Sequence, residues 1–158
     1  MTRAQRYLVM LEKYPDNLDD SYYAAFYLIS SDELLSERLC NCISPVGIDF
    51  PEMMNNCAGL DDTQQKILSI AHNLFAWESD CALTPHDLAH LGYPALDDVC
   101  GALHTASGLA GPQVQVNGLG KQVLSLDKSK YEQTRKLHNM LNDMQSAAFE
   151  ESEDVERK

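Results

Sequence analysis

Two histidines spaced four residues apart are the pair in this sequence whose spacing best suits a metal ion. His86 and His90 would lie on one face of a short helix, where imidazoles at positions i and i+4 can bind the same cation. The residues between them are Asp-Leu-Ala, so the glutamate that acts as general base in the zinc-protease motif is missing. A third ligand would have to come from Asp87, Cys81 or His104. We favour the alternative, two surface or capping residues, and predict no metal ligand and no cofactor.

A cysteine paired with a histidine is the second kind of chemistry that the residue types allow. Cys57, Cys81 or Cys100 could meet His72 or His104 in the folded chain. None of these cysteines lies in a glycine-rich turn or beside a run of bases, the surroundings that activate a thiol. We therefore predict no catalytic residue.

The cysteines and the apolar runs also indicate a compartment. Five cysteines are an odd number, and without a Cys-x-x-Cys spacing they indicate free thiols in a reducing environment. No run approaches the roughly 20 apolar residues of a membrane-spanning helix. The apolar run Tyr7–Leu11 has five residues, fewer than the roughly 7–15 of a signal peptide. We expect a cytoplasmic protein that does not associate with membranes.

Acidic residues outnumber basic ones, and they are unevenly distributed. The chain has 24 Asp and Glu against 12 Lys and Arg, a formal net charge of −12. Residues 1–107 hold 16 acids and 5 bases, whereas residues 108–158 hold 8 acids and 7 bases. So negative a surface repels phosphate backbones, which argues against direct nucleic-acid binding. Two interpretations stay open: the acids only keep the protein soluble, or they attract a basic partner, as a mimic of nucleic acid would.

The elements that must position these residues are mostly helices. Apolar residues at helical spacing, capping residues and breakers predict helices over about 3–14, 19–30, 31–43, 51–57, 62–78, 85–91, 94–107 and 129–149. The helix over 62–78 has apolar residues on more than one face, as expected at the centre of a bundle. Paired acids such as Asp97-Asp98 fall near helix starts, where the helix dipole favours negative charge. We predict an all-α bundle of about six to seven helices with one small β-hairpin.

The pattern of apolar residues changes at Gly108, from helical spacing to alternation. Asn117-Gly118, set between alternating apolar residues, predicts a two-stranded hairpin near residues 113–126. An isolated hairpin is marginal in water, so it must lean on the helices or on a partner. We divide the chain into an acidic helical domain, residues 1–107, and an appendage of the same domain. The appendage, residues 108–158, comprises a linker, the hairpin and a C-terminal helix, with residues 150–158 frayed.

Three segments resemble a known family. They are Tyr22–Leu28, Gln64–Phe75 and Leu83–Leu88, which carry apolar helix faces and an Asn-Leu-Phe step. Through them, residues 5–107 resemble small proteins of gut Firmicutes bacteria that are grouped as a domain of unknown function, DUF6075. The resemblance implies a bacterial host and assigns no activity. Residues 108–158 depart from the family's shorter pattern.

The C-terminal helix carries the residues that we predict to bind a partner. Its first half is basic, with Lys128, Lys130, Arg135, Lys136 and His138. Its apolar residues recur at helical spacing over two turns, which is too short for a convincing coiled coil; they are Leu137, Met140, Leu141 and Met144. Opposite charges could bring this helix onto the acidic body or onto a second chain.

Two classes of function therefore remain. We predict a non-catalytic protein-interaction module that binds a basic partner or self-associates through residues 108–149. The alternative is a small metal- or thiol-dependent enzyme centred on His86, His90 and Cys81. The sequence has no recognisable catalytic spacing, no phosphate-binding glycine loop and no serine nucleophile elbow, which favours the interaction module.

Overall fold

The structure is a computed structural model that describes residues 1–14 and 17–157. In chain order its elements are α1 (Arg3–Lys13), α2 (Asp20–Ile29), α3 (Glu33–Cys40), β1 (Ile43–Ser44), β2 (Gly47–Ile48), α4 (Phe50–Asn55), α5 (Asp62–Phe75), α6 (Pro85–Ala89), α7 (Ala95–Ala106), β3 (Gly111–Val116), β4 (Gln122–Asp127) and α8 (Ser129–Glu156). The mostly helical architecture is confirmed. The described residues form eight helices and two antiparallel hairpins. Each of the eight helical ranges predicted from the sequence overlaps a helix, so the count of about six to seven helices is corrected to eight, and the single hairpin to two.

Side-chain caps explain where several helices begin. Thr2, Asp61 and Thr84 each accept a hydrogen bond from the backbone N–H three residues on, and that residue's side chain bonds back to the cap. These reciprocal bonds satisfy N–H groups that have no partner inside the helix. Ser30 and Glu33 have the spacing of a capping box in the sequence, but they do not form one, because Asp32 caps α3 instead.

Helix α2 lies at the centre of the core. Its residues Ala24–Ile29 are all buried, and it packs against α1, α5 and α7. Helix α5, which the sequence placed at the centre, ends at Phe75 and buries one stripe, Ile67, Leu68, Ile70 and Ala71. The segment of α2 takes the central place because it is apolar on every side after its first turn.

A short hairpin replaces the end of the third predicted helix. Helix α3 stops at Cys40, and Ile43 then pairs with Ile48 and Ser44 with Gly47. Gly47 has a φ of 144°, a conformation that side-chain-bearing residues rarely adopt. The breakers near residues 45–47 therefore do more than end a helix, because they also form the turn of a hairpin.

The second hairpin forms where Asn117-Gly118 predicts it. β3 and β4 pair antiparallel from Gly111 opposite Asp127 to Val116 opposite Gln122. The Asn117 side chain accepts hydrogen bonds from two backbone N–H groups of the turn, each at 3.0 Å. The hairpin leans on α1 and α2, and it packs side chains of both strands on the core, namely Val114, Leu124 and Leu126.

The chain divides into two compact units, Met1–Asp127 and Lys128–Lys158. The hairpin belongs to the first unit because its side chains join the core of the helices. The boundary between the two compact units follows Asp127, whereas the change in sequence pattern lies at Gly108.

Helix α8 makes up nearly all of the second unit. It has 28 residues and continues to Glu156, so residues 150–156, which were expected to be frayed, are helical. Four of the residues 150–156 are glutamates, which have high helix propensity. Among the helices of residues 1–14 and 17–157, none has both the length and the apolar character that a membrane span requires.

Candidate functional site

The histidine pair of α6 is exposed, and its two rings lie close together in a tilted arrangement. The ring centroids of His86 and His90 lie 4.1 Å apart with planes inclined by 36°. His90 Nδ1 lies 2.8 Å from the backbone carbonyl of His86, so this nitrogen is engaged by the helix itself. The Asp87 carboxylate accepts hydrogen bonds from Thr84, which lower the pKa of Asp87. Within the described residues, no three His, Cys, Asp or Glu side chains gather in a way that could hold a metal ion.

Cys81 lines a cavity to which the two histidines do not contribute. It lines a cavity of about 210 Å³ with one polar residue, Asn73, and a set of apolar ones, Ile70, Leu74, Leu83, Leu88, Val99 and Leu103. Neither His86 nor His90 lines the cavity. The cavity therefore does not unite the three residues on which the alternative enzyme was centred.

His72 packs in a half-buried position between two elements. Its ring stacks on that of Phe50 at a centroid distance of 4.9 Å and an angle of 14°. Burial lowers the pKa of His72 below its ordinary value of 6.5, because the surroundings disfavour the charged ring. A neutral imidazole stacked on a phenyl ring is a packing arrangement, and it joins α5 to α4.

A buried ion pair that the sequence analysis missed joins three helices. Arg3 Nη1 donates to Asp98 Oδ1 at 2.6 Å, and the Asp98 side chain is only 8% exposed. The same guanidinium donates to the Tyr27 carbonyl at 2.9 Å and to the Ser30 hydroxyl at 3.2 Å. It also lies over the Tyr27 ring, 4.5 Å from the centroid. Arg3 thus links α1 to α2 and α7.

The sequence contains both residues of this pair but does not indicate that they meet. Asp98 was explained by the helix dipole, which accounts for acids at a helix start without any partner. Bases are scarce among residues 1–107, which makes the partner of any buried acid one of very few side chains. Only the crossing of α1, α2 and α7 selects Arg3.

The residues predicted to bind a partner lie on one face of α8. Leu137, Met140, Leu141 and Met144 are 52%, 53%, 48% and 61% exposed. At about 100° per residue, Ala148 falls on the same face, and so does Val155, which is 75% exposed. Glu151 and Ser152 separate Val155 from the others on this face. We call the continuous run before them the stripe: Leu137, Met140, Leu141, Met144 and Ala148.

The charges of α8 are segregated along its length. Residues 129–142 hold three bases and one acid, net +2, whereas residues 143–156 hold six acids and no base. Within the first half, Arg135 pairs with Glu132 at 2.6 Å. The sequence analysis described only the basic half.

This segregation opposes the stability of an isolated helix. The helix dipole favours acids at the N-terminus and bases at the C-terminus, and the last turn of α8 contains no base. The acidic half also places like charges three or four residues apart, as in Glu150 and Asp154, at a cost of about 0.2–0.5 kcal/mol per pair. The charge pattern therefore has no explanation within the helix.

The resemblance of residues 5–107 to DUF6075 stays a prediction. No protein-family model, no curated protein and no solved structure matches this chain.

Proposed function

We propose that this protein is a non-catalytic protein-interaction module that binds a protein partner through the stripe of α8. The observation that carries the proposal is the grouping of four half-exposed apolar side chains, Leu137, Met140, Leu141 and Met144, on one helix face. Covering such a face removes apolar area from water, which favours association by about 25 cal/mol per Å².

The chemistry of the stripe and of its surroundings supports a protein partner. Two of the four side chains are methionines, which are flexible and adapt to an apposed surface. Acids and bases at the two ends of α8 would give such a contact an orientation. The excess of acids over bases among residues 1–127 supports a partner other than nucleic acid.

The five cysteines support a reducing compartment, and we propose the cytoplasm. All five are free thiols, and four of them are partly buried. Burial raises the pKa of Cys40 and Cys42, because it disfavours the thiolate. Such thiols favour a packing role over a nucleophilic one.

The test is affinity capture by the full chain from the cells in which it occurs, quantified by mass spectrometry. The stripe variant carries Leu141→Glu and Met144→Glu, which place two charges in the apolar face. The matched control carries Asn139→Glu and Ser146→Glu, which add the same charge to exposed positions on the opposite face. We expect a partner that the wild type and the control capture and that the stripe variant loses at least about tenfold. The same set of proteins captured by all three would contradict the proposal.

A further inference from the structure

We infer that the partner which covers the stripe is a second copy of this chain, with the two α8 helices antiparallel. The inference rests on the proposed function, because it names the occupant of the same surface. Its evidence is the complementary charge of the two ends of α8 and the position of the stripe within the helix.

The charges of α8 match an antiparallel copy and repel a parallel one. In the antiparallel arrangement the half with a net charge of +2 lies along the half with six acids, and the reverse holds at the other end. A parallel pair would set acids against acids and bases against bases. The two helix dipoles also oppose each other only when the helices are antiparallel, which is the favourable order.

The stripe is centred on the helix, as a two-fold symmetric pair requires. The midpoint of Ser129–Glu156 and the midpoint of Leu137–Ala148 both fall between Asn142 and Asp143. A two-fold axis there lays each stripe on the other along its whole length. Any parallel register that overlays the stripes also overlays like charges.

Two kinds of apolar pair meet in this register. Leu141 falls level with Met144 of the other copy, and Leu137 falls level with Ala148. The second pair sets a large side chain opposite a small one, which lets the two faces interdigitate there. The centre of the contact is then apolar, and both ends are charged.

The charged residues closest to the stripe meet opposite charges in the same register. Lys130 falls within one residue of the level of Asp154 of the other copy, and Lys136 within two residues of Glu151. Glu132 falls level with Glu153 of the other copy, which is also an acid. The Glu132 carboxylate, however, already pairs with Arg135 of its own helix. The four side chains at positions 130, 136, 151 and 154 are thus the ones that set orientation.

Charge reversal in the full chain tests the orientation. The first variant carries Lys130→Glu and Lys136→Glu, the second carries Glu150→Lys, Glu151→Lys, Glu153→Lys and Asp154→Lys, and the third carries all six changes. In the third variant residues 129–142 have a net charge of −2 and residues 143–156 a net charge of +2, so the antiparallel pair is complementary again. The new charges at positions 130 and 154 also suit the helix dipole, so loss of the dimer would not follow from a weaker helix.

Light scattering at low salt is the measurement, with the helix content of every variant checked by circular dichroism. We expect the wild type to have twice the 17.7 kDa mass of the chain, and salt to weaken the dimer. The first and second variants should each raise the dissociation constant at least about tenfold, because each gives the two halves of α8 a net charge of the same sign. The third should recover the dimer.

Three results would overturn the inference, and they separate it from the proposed function. A third variant that stays as weak as the first two would exclude the antiparallel order, since folding of the basic half onto the acidic body or a parallel pair both predict no recovery. A monomeric wild type whose stripe still captures another protein would exclude self-pairing and leave the proposed function standing. A dimer that persists in the variant with Leu141→Glu and Met144→Glu would exclude self-pairing through the stripe.

Discussion

Arg3 shows how one side chain can determine the crossing of three helices. Its guanidinium satisfies the buried Asp98 carboxylate, the Tyr27 carbonyl and the Ser30 hydroxyl at once, while the Tyr27 ring covers its face. Planar guanidinium geometry supplies donors in several fixed directions, which lysine cannot do. A buried carboxylate that has one such partner becomes very unfavourable when the partner is removed.

The first prediction concerns this ion pair. Arg3→Ala should destabilise the fold by about 3 kcal/mol, the low end for a broken buried pair because Arg3 is itself 28% exposed. Urea unfolding followed by circular dichroism measures the change. Combining Arg3→Ala with Asp98→Asn should recover part of the loss, since no charge is then left without a partner. A double variant less stable than Arg3→Ala alone would show that the unpaired charge is not the cause.

The second prediction concerns the stacked imidazole of His72. Its folded pKa is lowered below 6.5, so below that pH the unfolded chain binds a proton that the folded chain excludes. Stability should therefore fall as the pH drops through 6.5 and should stop falling below the folded pKa. The urea midpoint of the wild type should drop more between about pH 7.5 and pH 5.5 than that of His72→Phe, which keeps the stack on Phe50. Equal drops would mean that His72 does not titrate in this range.

At the scale of elements, the hairpin of β3 and β4 depends on a close approach to α7. A Cβ on Gly101 would lie 2.8 Å from Leu126 Cδ1 and 2.8 Å from Tyr27 Cε1. The glycine in the middle of α7 thus leaves room for side chains from β4 and α2. This approach gives the marginal two-stranded sheet the support that it cannot supply itself.

The third prediction follows from that contact. Gly101→Ala should cost about 1–3 kcal/mol by overpacking, although alanine has the higher helix propensity. The matched control is Gly118→Ala at the hairpin turn, where a Cβ would meet nothing within 4 Å, and it should stay within about 0.5 kcal/mol of the wild type. Thermal unfolding compares the two variants, and limited proteolysis within residues 111–127 reports whether the hairpin is loosened. A stabilised Gly101→Ala variant would contradict the packing of Leu126 against α7.

The elements were predicted with unequal success, for local reasons. Caps and helical periodicity are properties of a few neighbouring residues, so α1, α5, α7 and the second hairpin appeared near their observed positions. The first hairpin was missed because its strands have two residues each, too few to show an alternation. The sequence pattern placed α5, and not α2, at the centre of the core. Helix α2 has only ten residues, which is too short a segment to show from apolar spacing alone that it is buried on all sides.

At the scale of the whole molecule, the chain has one unit with a core and one that is a helix. Buried residues from α1 to α7, together with Val114, Leu124 and Leu126 of the hairpin, form a single cluster within residues 1–127. Helix α8 contains no buried residue. The fold of the first unit should therefore not depend on the second.

The fourth prediction tests this division by truncation. A chain of residues 1–127 should unfold with the same midpoint as the full chain at low protein concentration, where self-association adds little stability. A chain of residues 1–108 should unfold at a clearly lower temperature, because it loses the apolar contacts of the hairpin. Differential scanning calorimetry compares the three chains. Equal midpoints for all three would contradict the assignment of the hairpin to the core.

The sequence by itself determined the helical class, most helix starts, the second hairpin, the acidic charge and the apolar face of α8. These depend on residues close together in the chain, whose caps, periodicity and turns act locally. The tertiary structure decided that α2 is central, that Arg3 meets Asp98 across 95 residues, and that the hairpin belongs with the helices. It also placed Cys81 in the lining of a cavity that neither His86 nor His90 lines. Such outcomes depend on which distant surfaces meet, and the pattern of any one segment allows many partners.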